Sequence, residues 1–431
     1  MTPDSKRAAV EEDNEDRFSA LPNNLIDDIL MLLPVHDAAR TSILSKKWRY
    51  IWAMLPNLVL DKQFCNKLTF ESQYVLKETI DKILLQHLGD MVKILLDVSR
   101  TNLCSYADID RWIGCVTRNC VKELTLGVPY HSTYELPSHV FSCPTLKSLE
   151  LHFCLFKPPN SFIGFQNLIN LYMNKITFVS TTSEFVVINV PRLVNLTLIR
   201  CKGTQYLNFV VSSPLKYLAI RYRRYNGGLS CFTNCKDLKK LYLIAANPIP
   251  TKRSKLEKLL SSLPIIEALT LDYFVLERLS AGTVQRGLPF TLNCLCHLWL
   301  GVCFGERGLT SYALELIKSS PNLSKLEILV SSTTTTTTSD NAEAVLEYLD
   351  SPTCLDRPLH NLKDVSLHQF KGSKAEMFFV KLLFARTPSL IRMRIEVEAS
   401  DSKEERNINT ELMGFPRASG KAELFYTPYS D

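Results

Sequence analysis

The sequence has no long apolar segment, no long run of like charge and no common catalytic motif. No stretch of 18 consecutive apolar residues occurs, so we expect no membrane span. The amino-terminal residues 1–18 are hydrophilic and lack the apolar core of an export signal. The formal net charge is only +6, with 50 basic and 44 acidic side chains, and no basic run concentrates it. Nucleic acid is therefore not the expected partner.

Motifs for the common catalytic and cofactor chemistries are also missing. We find no P-loop, no HExxH, no GxSxG, and no GxGxxG that follows a strand. The pair Cys231 and Cys235, and the group Cys294, Cys296 and His297, lack the spacing of a common structural zinc site. We expect no enzyme, no metal and no cofactor. Thirteen cysteines without an export signal favour free thiols in the cytosol, the nucleus or both.

A short apolar segment near the amino terminus predicts three helices. Apolar residues at the i, i+3, i+4, i+7 spacing of a first helix are Ile26, Ile29, Leu30 and Leu33. Pro34 ends this helix, Asp37 is a candidate cap for a second and Ser45 for a third. Ile26 and Trp48 are expected inside the module. The apolar residues that remain exceed what so small a module can bury, which indicates a partner protein.

Most of the remaining chain repeats one short pattern. The template L-x-x-L-x-L recurs from residue 121 to residue 390, and most intervals between copies are 22 to 29 residues. This is the period of leucine-rich repeats, whose units stack into a parallel-stranded solenoid because no unit buries its apolar face alone. Cys154, Cys201 and Cys303 follow the last leucine of three copies at the position where the repeat consensus places Asn or Cys, so we interpret them as structural. A further helix is predicted at about 70–88 and a loop at 331–340.

The template also predicts which residues line the concave face of the sheet. The residues before, between and after the last two leucines of each copy point away from the core, because side chains alternate along a strand. In the middle repeats these positions carry aromatic and basic residues, which are frequent at binding hot spots. They are Tyr172, Tyr217, Arg221, Lys240, Tyr242, His297 and Trp299. Asp272 and His152 are predicted on the same face.

Residues 16–55 closely resemble an F-box. The resemblance rests on the Leu21–Pro22 start, the helix "IDDILMLLP" that ends at Pro34, and "SILSKKWRYIW". The whole chain resembles the plant F-box/FBD/LRR proteins, with the FBD similarity carried by residues 362–397. This implies an α/β fold: a three-helix F-box, an irregular leucine-rich-repeat solenoid with a curved parallel sheet and outer helices or loops, and a C-terminal FBD-like cap.

The resemblance also suggests how the chain is divided. We expect a disordered N-terminus, an F-box, a linker helix, leucine-rich repeats and an FBD-like region, with the boundaries 1–16, 17–60, 61–90, 91–354 and 355–431.

The resemblance implies the substrate-recognition subunit of a Skp–cullin–F-box ubiquitin ligase. Its F-box would bind a Skp-type adaptor and, through it, the cullin–RING core, while the concave face binds an unknown protein substrate. By position, the adaptor-binding residues are Leu21, Pro22, Ile29, Leu33, Pro34 and Leu44. One alternative is a receptor whose hormone-like ligand completes the target-binding face, with Arg221, Arg223 and Arg224 holding an inositol phosphate. Another is a scaffold outside any ligase.

Overall fold

The computed structural model describes most of the chain and divides it into two compact units, residues 1–130 and 131–431. The described residues are 20–101, 105–130, 133–179, 186–204, 207–210, 214–222, 229–249, 251–281, 287–331, 339–351, 354–398 and 402–428. The disordered N-terminus predicted at 1–16, the arginines 223 and 224, and most of the loop predicted at 331–340 lie outside them. No helix within the described ranges combines the length and apolar composition needed to cross a bilayer.

The first unit joins a helical module to a small parallel sheet. Its elements are α1 (Asn23–Leu32), α2 (Val35–Arg40), a 3-10 turn (Thr41–Ile43), α3 (Lys46–Ala53), β1 (Asn57–Leu60), α4 (Lys62–Glu71), α5 (Gln73–Gln86), β2 (Lys93–Asp97), α6 (Ala107–Arg118) and β3 (Glu123–Gly127). β1 pairs with β2, and β2 with β3, all in parallel. α6 is attached to α5 because the buried indole of Trp112 donates to Asp81 Oδ1 at 2.7 Å.

Side-chain caps fix where several of these helices begin. Ser45 accepts a hydrogen bond from Trp48 N at 3.3 Å and caps α3, as predicted. Asp61 caps α4 in the same way, accepting from Phe64 N at 2.8 Å. Ser72 caps α5, so the single helix predicted at 70–88 begins later and is preceded by α4. The prediction for Asp37 is wrong: Pro34 holds the cap position of α2, and Asp37 lies in its first turn.

The second unit is built around one parallel sheet. Its elements are α7 (Ser138–Phe141), β4 (Ser148–His152), β5 (Leu155–Phe156), β6 (Asn170–Asn174), β7 (Thr177–Phe178), β8 (Val186–Asn189), β9 (Asn195–Ile199), β10 (Leu207–Val210), β11 (Tyr217–Tyr222), a 3-10 turn (Leu229–Phe232), β12 (Lys240–Ala245), α8 (Arg253–Ser261), β13 (Ala268–Leu271), α9 (Tyr273–Ser280), β14 (His297–Val302), α10 (Arg307–Lys318), β15 (Lys325–Val330), α11 (Ser339–Asp350), β16 (Asp364–Phe370), α12 (Lys374–Arg386), β17 (Arg392–Val397), α13 (Ser402–Met413) and β18 (Glu423–Pro428).

The sheet of the second unit contains one strand from each repeat. Its order is β4, β6, β9, β11, β12, β13, β14, β15, β16, β17 and β18, and adjacent strands pair in parallel. The secondary structure of the segments between strands differs between the two halves of the unit. Short strands return the chain in the first half, where β5 pairs with β7 and β8 with β10, whereas α8 to α13 do so in the second half.

The template leucines form the core on one side of this sheet. Leu241 and Leu243 of β12 are 0% and 1% exposed, and the corresponding residues of the neighbouring strands are equally buried. Because side chains alternate along a strand, the residues between the leucines lie on the opposite side. We call that side the open face. Residues 355–431 add three strands to the same sheet and lie at its end, the position expected of a terminal module.

Candidate functional site

The helical module, residues 20–55, has a complete core of its own. Ile26 of α1 and Trp48 of α3 are 0% and 2% exposed, which confirms that both are internal. They pack with four other buried side chains, which are Leu30, Ala38, Ile51 and Leu55. The amide N–H of Leu25 and that of Ile26 both bond Pro22 O, so this proline starts α1. Leu21, Leu33 and Trp52 pack partly against this core, so the module does not need its exposed apolar side chains for its own packing.

Many large apolar side chains of the helical module nevertheless face outward. Leu32, at the end of α1, is 86% exposed, and Ile43 in the 3-10 turn is 79% exposed. The others are Leu25, Ile29, Met31, Leu44, Tyr50 and Met54, each between 38% and 59% exposed. A concentration of apolar side chains on so small a surface marks an interaction site.

The predicted adaptor-binding residues fall into two groups in the structure. Ile29 and Leu44 are exposed large apolar residues, and Pro22 and Pro34 are also exposed. Leu21 and Leu33 are half-buried against the module's core, and the backbone oxygen of Leu21 accepts from Lys47 Nζ at 2.6 Å. The adaptor-binding role of these residues stays a prediction.

Sequence reasoning missed Leu32 and Ile43, the most exposed apolar residues of the helical module. A signal was present for Leu32, because the run Ile29–Leu33 is apolar around most of the helix and a single buried stripe cannot use all of it.

The register of the repeat strands places the seven predicted substrate-binding residues on the open face. Ala219 of β11 lies opposite Thr197 and Tyr242, and Thr270 lies opposite Tyr242 and Trp299. The residues between the last two leucines of each copy lie side by side on neighbouring strands from Glu150 to Arg394, as the template predicted. The predicted register is therefore confirmed. We call the seven predicted substrate-binding residues Tyr172, Tyr217, Arg221, Lys240, Tyr242, His297 and Trp299 the central patch.

Two tyrosines form the middle of the central patch. The rings of Tyr217 and Tyr242, on neighbouring strands, have centroids 5.3 Å apart and are tilted by 37°. Lys240 lies opposite Tyr217, and the small Ala219 lies opposite Tyr242, so the open face has little side-chain volume beside the second ring. Burial raises the pKa of Tyr217, and its hydroxyl remains a hydrogen-bond donor at neutral pH. Tyr172 lies farther along the sheet and contacts His152, with ring centroids 5.5 Å apart.

Charges on the open face are paired on both sides of the central patch. Before it, Glu150 bonds His152 at 2.9 Å. At its far end, Glu327 pairs with His297 Nε2 at 3.1 Å and with Lys325, and these two partners lower the pKa of Glu327 against the opposing effect of burial.

Further along the sheet, Arg392 forms a two-bond pair with Asp364, with distances of 2.5 and 3.1 Å. His368 Nδ1 lies 2.7 Å from Glu396.

Two cations of the central patch have no such partner. Lys240 and Arg221 are both exposed, and neither forms an ion pair within 4.0 Å of a carboxylate among the described residues. Both lie close to the tyrosine pair. Lys240 of β12 is opposite Tyr217, and Arg221 lies four residues after Tyr217 on β11. The middle of the open face therefore combines aromatic surface with two cations that form no close ion pair among the described side chains.

Asp272 does not line the open face as predicted. Its side chain is 9% exposed and caps α9, accepting from Val275 N at 3.1 Å and also from Ala245 N. The reason is that α9 begins immediately after β13, so the residue that follows the strand becomes a helix cap. Burial raises the pKa of Asp272 to about 6, against the opposing effect of these bonds and of Arg221.

The cavity beside Arg221 is small. It has a volume of about 30 Å³ and is lined by apolar side chains such as Leu198, Ile220 and Phe232, together with Cys201 and Tyr222. A cavity of this size holds about two water molecules, far less than the several hundred Å³ of a typical ligand pocket. It gives no support to a hormone-sized ligand at the central patch.

The three repeat cysteines are packed into the structure. Cys154 and Cys303 are buried, and the Cys201 thiol donates to Met173 O at 3.4 Å. Burial raises the pKa of Cys154 and of Cys201 to about 12, so both are protonated thiols at neutral pH. Within the described ranges no group of three or more Cys, His, Asp or Glu side chains is arranged to hold a metal ion.

Comparison with known proteins agrees with this architecture. Residues 109–328 match the family model of the leucine-rich repeats of FBD-associated F-box protein At5g56370, and residues 18–60 match the F-box domain. The chain belongs to the F-box/FBD/LRR-repeat family. The repeat match alone spans half of the sequence, and the F-box match coincides with the helical module and β1. The family assignment agrees with the resemblance seen in the sequence.

Full-length relatives of the F-box/FBD/LRR-repeat family come from Arabidopsis thaliana. The F-box/FBD/LRR-repeat protein At1g13570 is 29% identical over 429 residues, which cover 96% of this chain and 99% of the relative. The F-box/FBD/LRR-repeat protein At5g56420 is 25% identical, with 95% and 99% covered. The F-box/LRR-repeat protein At3g26922 is 28% identical over 61% of this chain and 92% of its own length. The similarity therefore extends over F-box, repeats and FBD region together.

Proposed function

We propose that this chain is the substrate-recognition subunit of a Skp–cullin–F-box ubiquitin ligase. The observation that carries the proposal is the helical module, which exposes large apolar side chains although its own core is complete. The chain would contribute no covalent chemistry. Its role would be to hold a target protein near the ubiquitin-loaded enzyme, and proximity would supply the gain in rate.

The exposed apolar residues of the helical module are proposed to bind the Skp-type adaptor. We add Leu32 and Ile43 to the residues inferred from the F-box resemblance, because burying these two side chains against a partner removes the most apolar surface from water. Their exposure also makes them suitable for mutation, since substitutions at such positions change folding stability little. Leu21 is less suitable, because truncating it would also affect the module's core.

Binding to a purified Skp-type adaptor, measured by calorimetry, tests this assignment. We expect Leu32→Ala with Ile43→Ala to weaken binding about 30-fold or more, the effect of losing interface hot spots. Leu85→Ala is the matched control, since Leu85 is 82% exposed but lies on α5 outside the helical module. Unchanged affinity in the double variant would show that this surface does not bind the adaptor.

The open face is proposed to bind the target protein through the central patch. Tyr217, Tyr242 and Trp299 offer rigid aromatic surface. Arg221 and Lys240 offer positive charge that no carboxylate of the described residues pairs within 4.0 Å. A target segment that carries carboxylates would complement this arrangement, and its affinity would fall with rising salt concentration.

Proximity labelling in plant cells with the proteasome blocked tests the target-binding role. Proteins labelled by the wild type should be depleted when the bait carries Tyr242→Ala with Trp299→Ala. The control is Tyr74→Ala, which removes a 70% exposed tyrosine from α5. A labelled set that is the same for the double variant and the wild type would refute the role of the central patch.

Coprecipitation of the cullin separates a ligase subunit from a scaffold that uses the adaptor alone. A ligase subunit brings down adaptor and cullin together, and a scaffold brings down only the adaptor. We propose the cytosol or the nucleus as the site of action, since the cysteines of the described residues are free thiols, as in a reducing compartment.

A further inference from the structure

Among the described residues, the last strand of the second unit is paired along one edge only. β18 is the terminal strand of the sheet, and within the described part of the chain it pairs only with β17. The amide of Glu423 donates to Ile391 O at 2.9 Å, so the backbone groups of Glu423 point toward β17. Because successive residues of a strand point their N–H and C=O groups to alternate sides, Leu424 and Tyr426 present theirs to the open edge.

The side chains of β18 are also less covered than those of the strand beside it. On the core side of β17, Met393 and Ile395 are 0% exposed. Their neighbours on β18, Leu424 and Tyr426, are only half-buried. On the open face, Phe425 is 44% exposed. A further strand beside β18 would cover all three side chains and would satisfy the backbone groups at the edge.

We propose that the edge of β18 pairs with β18 of a second copy of this chain, in antiparallel register centred on Phe425. In this register Leu424 lies opposite Tyr426 of the second copy, and the reciprocal pair forms by symmetry. Both are hydrogen-bonded pairs, which gives four backbone bonds. Phe425 lies opposite Phe425 of the second copy as the close, non-hydrogen-bonded pair, where aromatic contacts stabilise a sheet.

The sequence of β18 fits a second copy better than an unrelated strand. A two-fold axis brings identical residues together, so the strand must be compatible with its own reverse. Glu423 then faces Thr427, which avoids opposing two carboxylates, and the apolar residues face one another. Position 428 is the next one whose backbone points to the open edge, and Pro428 has no amide hydrogen to donate there. Pairing with the second copy therefore ends before Pro428.

The test is the self-association of the purified full-length chain, measured by sedimentation from about 0.1 to about 100 µM. Thr427→Lys places a lysine opposite Glu423 of the second copy, twice per dimer. We expect the dissociation constant of the dimer to fall about 2- to 30-fold. Thr427→Glu opposes like charges at the same two places and should raise the constant by a similar factor.

Two further variants decide where the contact lies. Phe425→Lys removes the aromatic pair and opposes two ammonium groups, so we expect the dimer to weaken about tenfold or more. Lys421→Glu is the control, because Lys421 lies before the strand and should leave association unchanged. A monomer across the concentration range, or a dimer indifferent to the Phe425 and Thr427 substitutions, overturns the proposal. If β18 instead pairs only with a strand of a different protein, the purified chain would also be a monomer over this range, and the proposal would be wrong.

Discussion

At the scale of single residues, Asp272 shows how its neighbours determine the properties of a carboxylate. It is buried beneath the start of α9, where its two oxygens accept backbone amides from α9 and from the end of β12. The charged form gains those bonds but loses its hydration. The loss dominates, and it raises the pKa of Asp272 from 3.8 to about 6.

This shift predicts a pH dependence of folding stability. Because the folded protein holds the Asp272 proton more tightly than the unfolded chain does, the contribution of Asp272 to stability is fully present below about pH 4 and is lost as the pH rises through about 6. The loss amounts to about 2 to 3 kcal/mol of unfolding free energy. Asp272→Asn should abolish it, because the amide does not titrate.

Urea denaturation of both proteins between pH 4 and pH 7 measures the effect. As the pH rises, the unfolding free energy of Asp272→Asn should increase relative to that of the wild type. The contributions of the other titrating groups are the same in both proteins and cancel in the difference. Parallel stability curves would contradict the prediction.

Individual residues also mark the limit of prediction from this sequence. The spacing of Ile26 and Leu30 identified the buried stripe of α1, and both side chains are buried. It did not show that Ile29 of the same stripe is 39% exposed, since the pattern gives the direction of a side chain but not how far the neighbouring helices cover it. In the same way Asp37 has the residue type of a helix cap, but the preceding Pro34 occupies that position.

At the scale of the elements, the repeat template predicted the strands of the second unit well. Leucines at fixed spacing must point to one side, so the register followed from the pattern and the structure confirms it. β1 was missed although Leu55, Leu58 and Leu60 fit the same template, because this copy follows directly on the helical module. The segments between strands were less predictable, since short strands and helices both return the chain.

Close approach between α9 and β14 makes Gly301 a sensitive position of the second unit. A Cβ atom added there would lie 2.5 Å from the backbone nitrogen of Tyr273 and 3.1 Å from the carbonyl carbon of Asp272. Backbone atoms cannot move aside cheaply. We therefore expect Gly301→Ala to reduce the unfolding free energy by about 1 to 3 kcal/mol.

Urea denaturation again provides the measurement for Gly301→Ala. Gly420→Ala is a fair control, since nothing lies within 4 Å of a Cβ added at that turn. It should change the stability by less than about 0.5 kcal/mol. Equal stability of the two variants would contradict the prediction, because it would show that the start of α9 moves to accommodate the added methyl group at little cost in free energy.

At the scale of the whole molecule, the adaptor-binding and target-binding surfaces proposed here belong to different units. The helical module lies within residues 1–130 and the central patch within residues 131–431. Each surface is built from side chains that the core of its own unit does not require. The functions of the two surfaces should therefore be separable by mutation.

A double dissociation is the expected result in cells. Leu32→Ala with Ile43→Ala should abolish coprecipitation of adaptor and cullin yet leave labelling of the target intact. Tyr242→Ala with Trp299→Ala should do the reverse. Either variant alone should raise the steady-state level of the target, measured by quantitative mass spectrometry. If one variant abolished both interactions, the surfaces would not be independent.

The alternation of side chains along the repeat strands has a consequence for how such receptors diversify. Replacing an inward leucine by alanine costs about 2 to 5 kcal/mol, a large part of a protein's total stability. Replacing an exposed residue of the open face changes stability by less than about 0.5 kcal/mol. A lineage that duplicates this gene can therefore change exposed positions such as Arg221 and Lys240 at little cost while the leucines of the same strands stay fixed. Alternate residues of the same strand thus determine folding stability and binding specificity, so new targets can be acquired without a new fold.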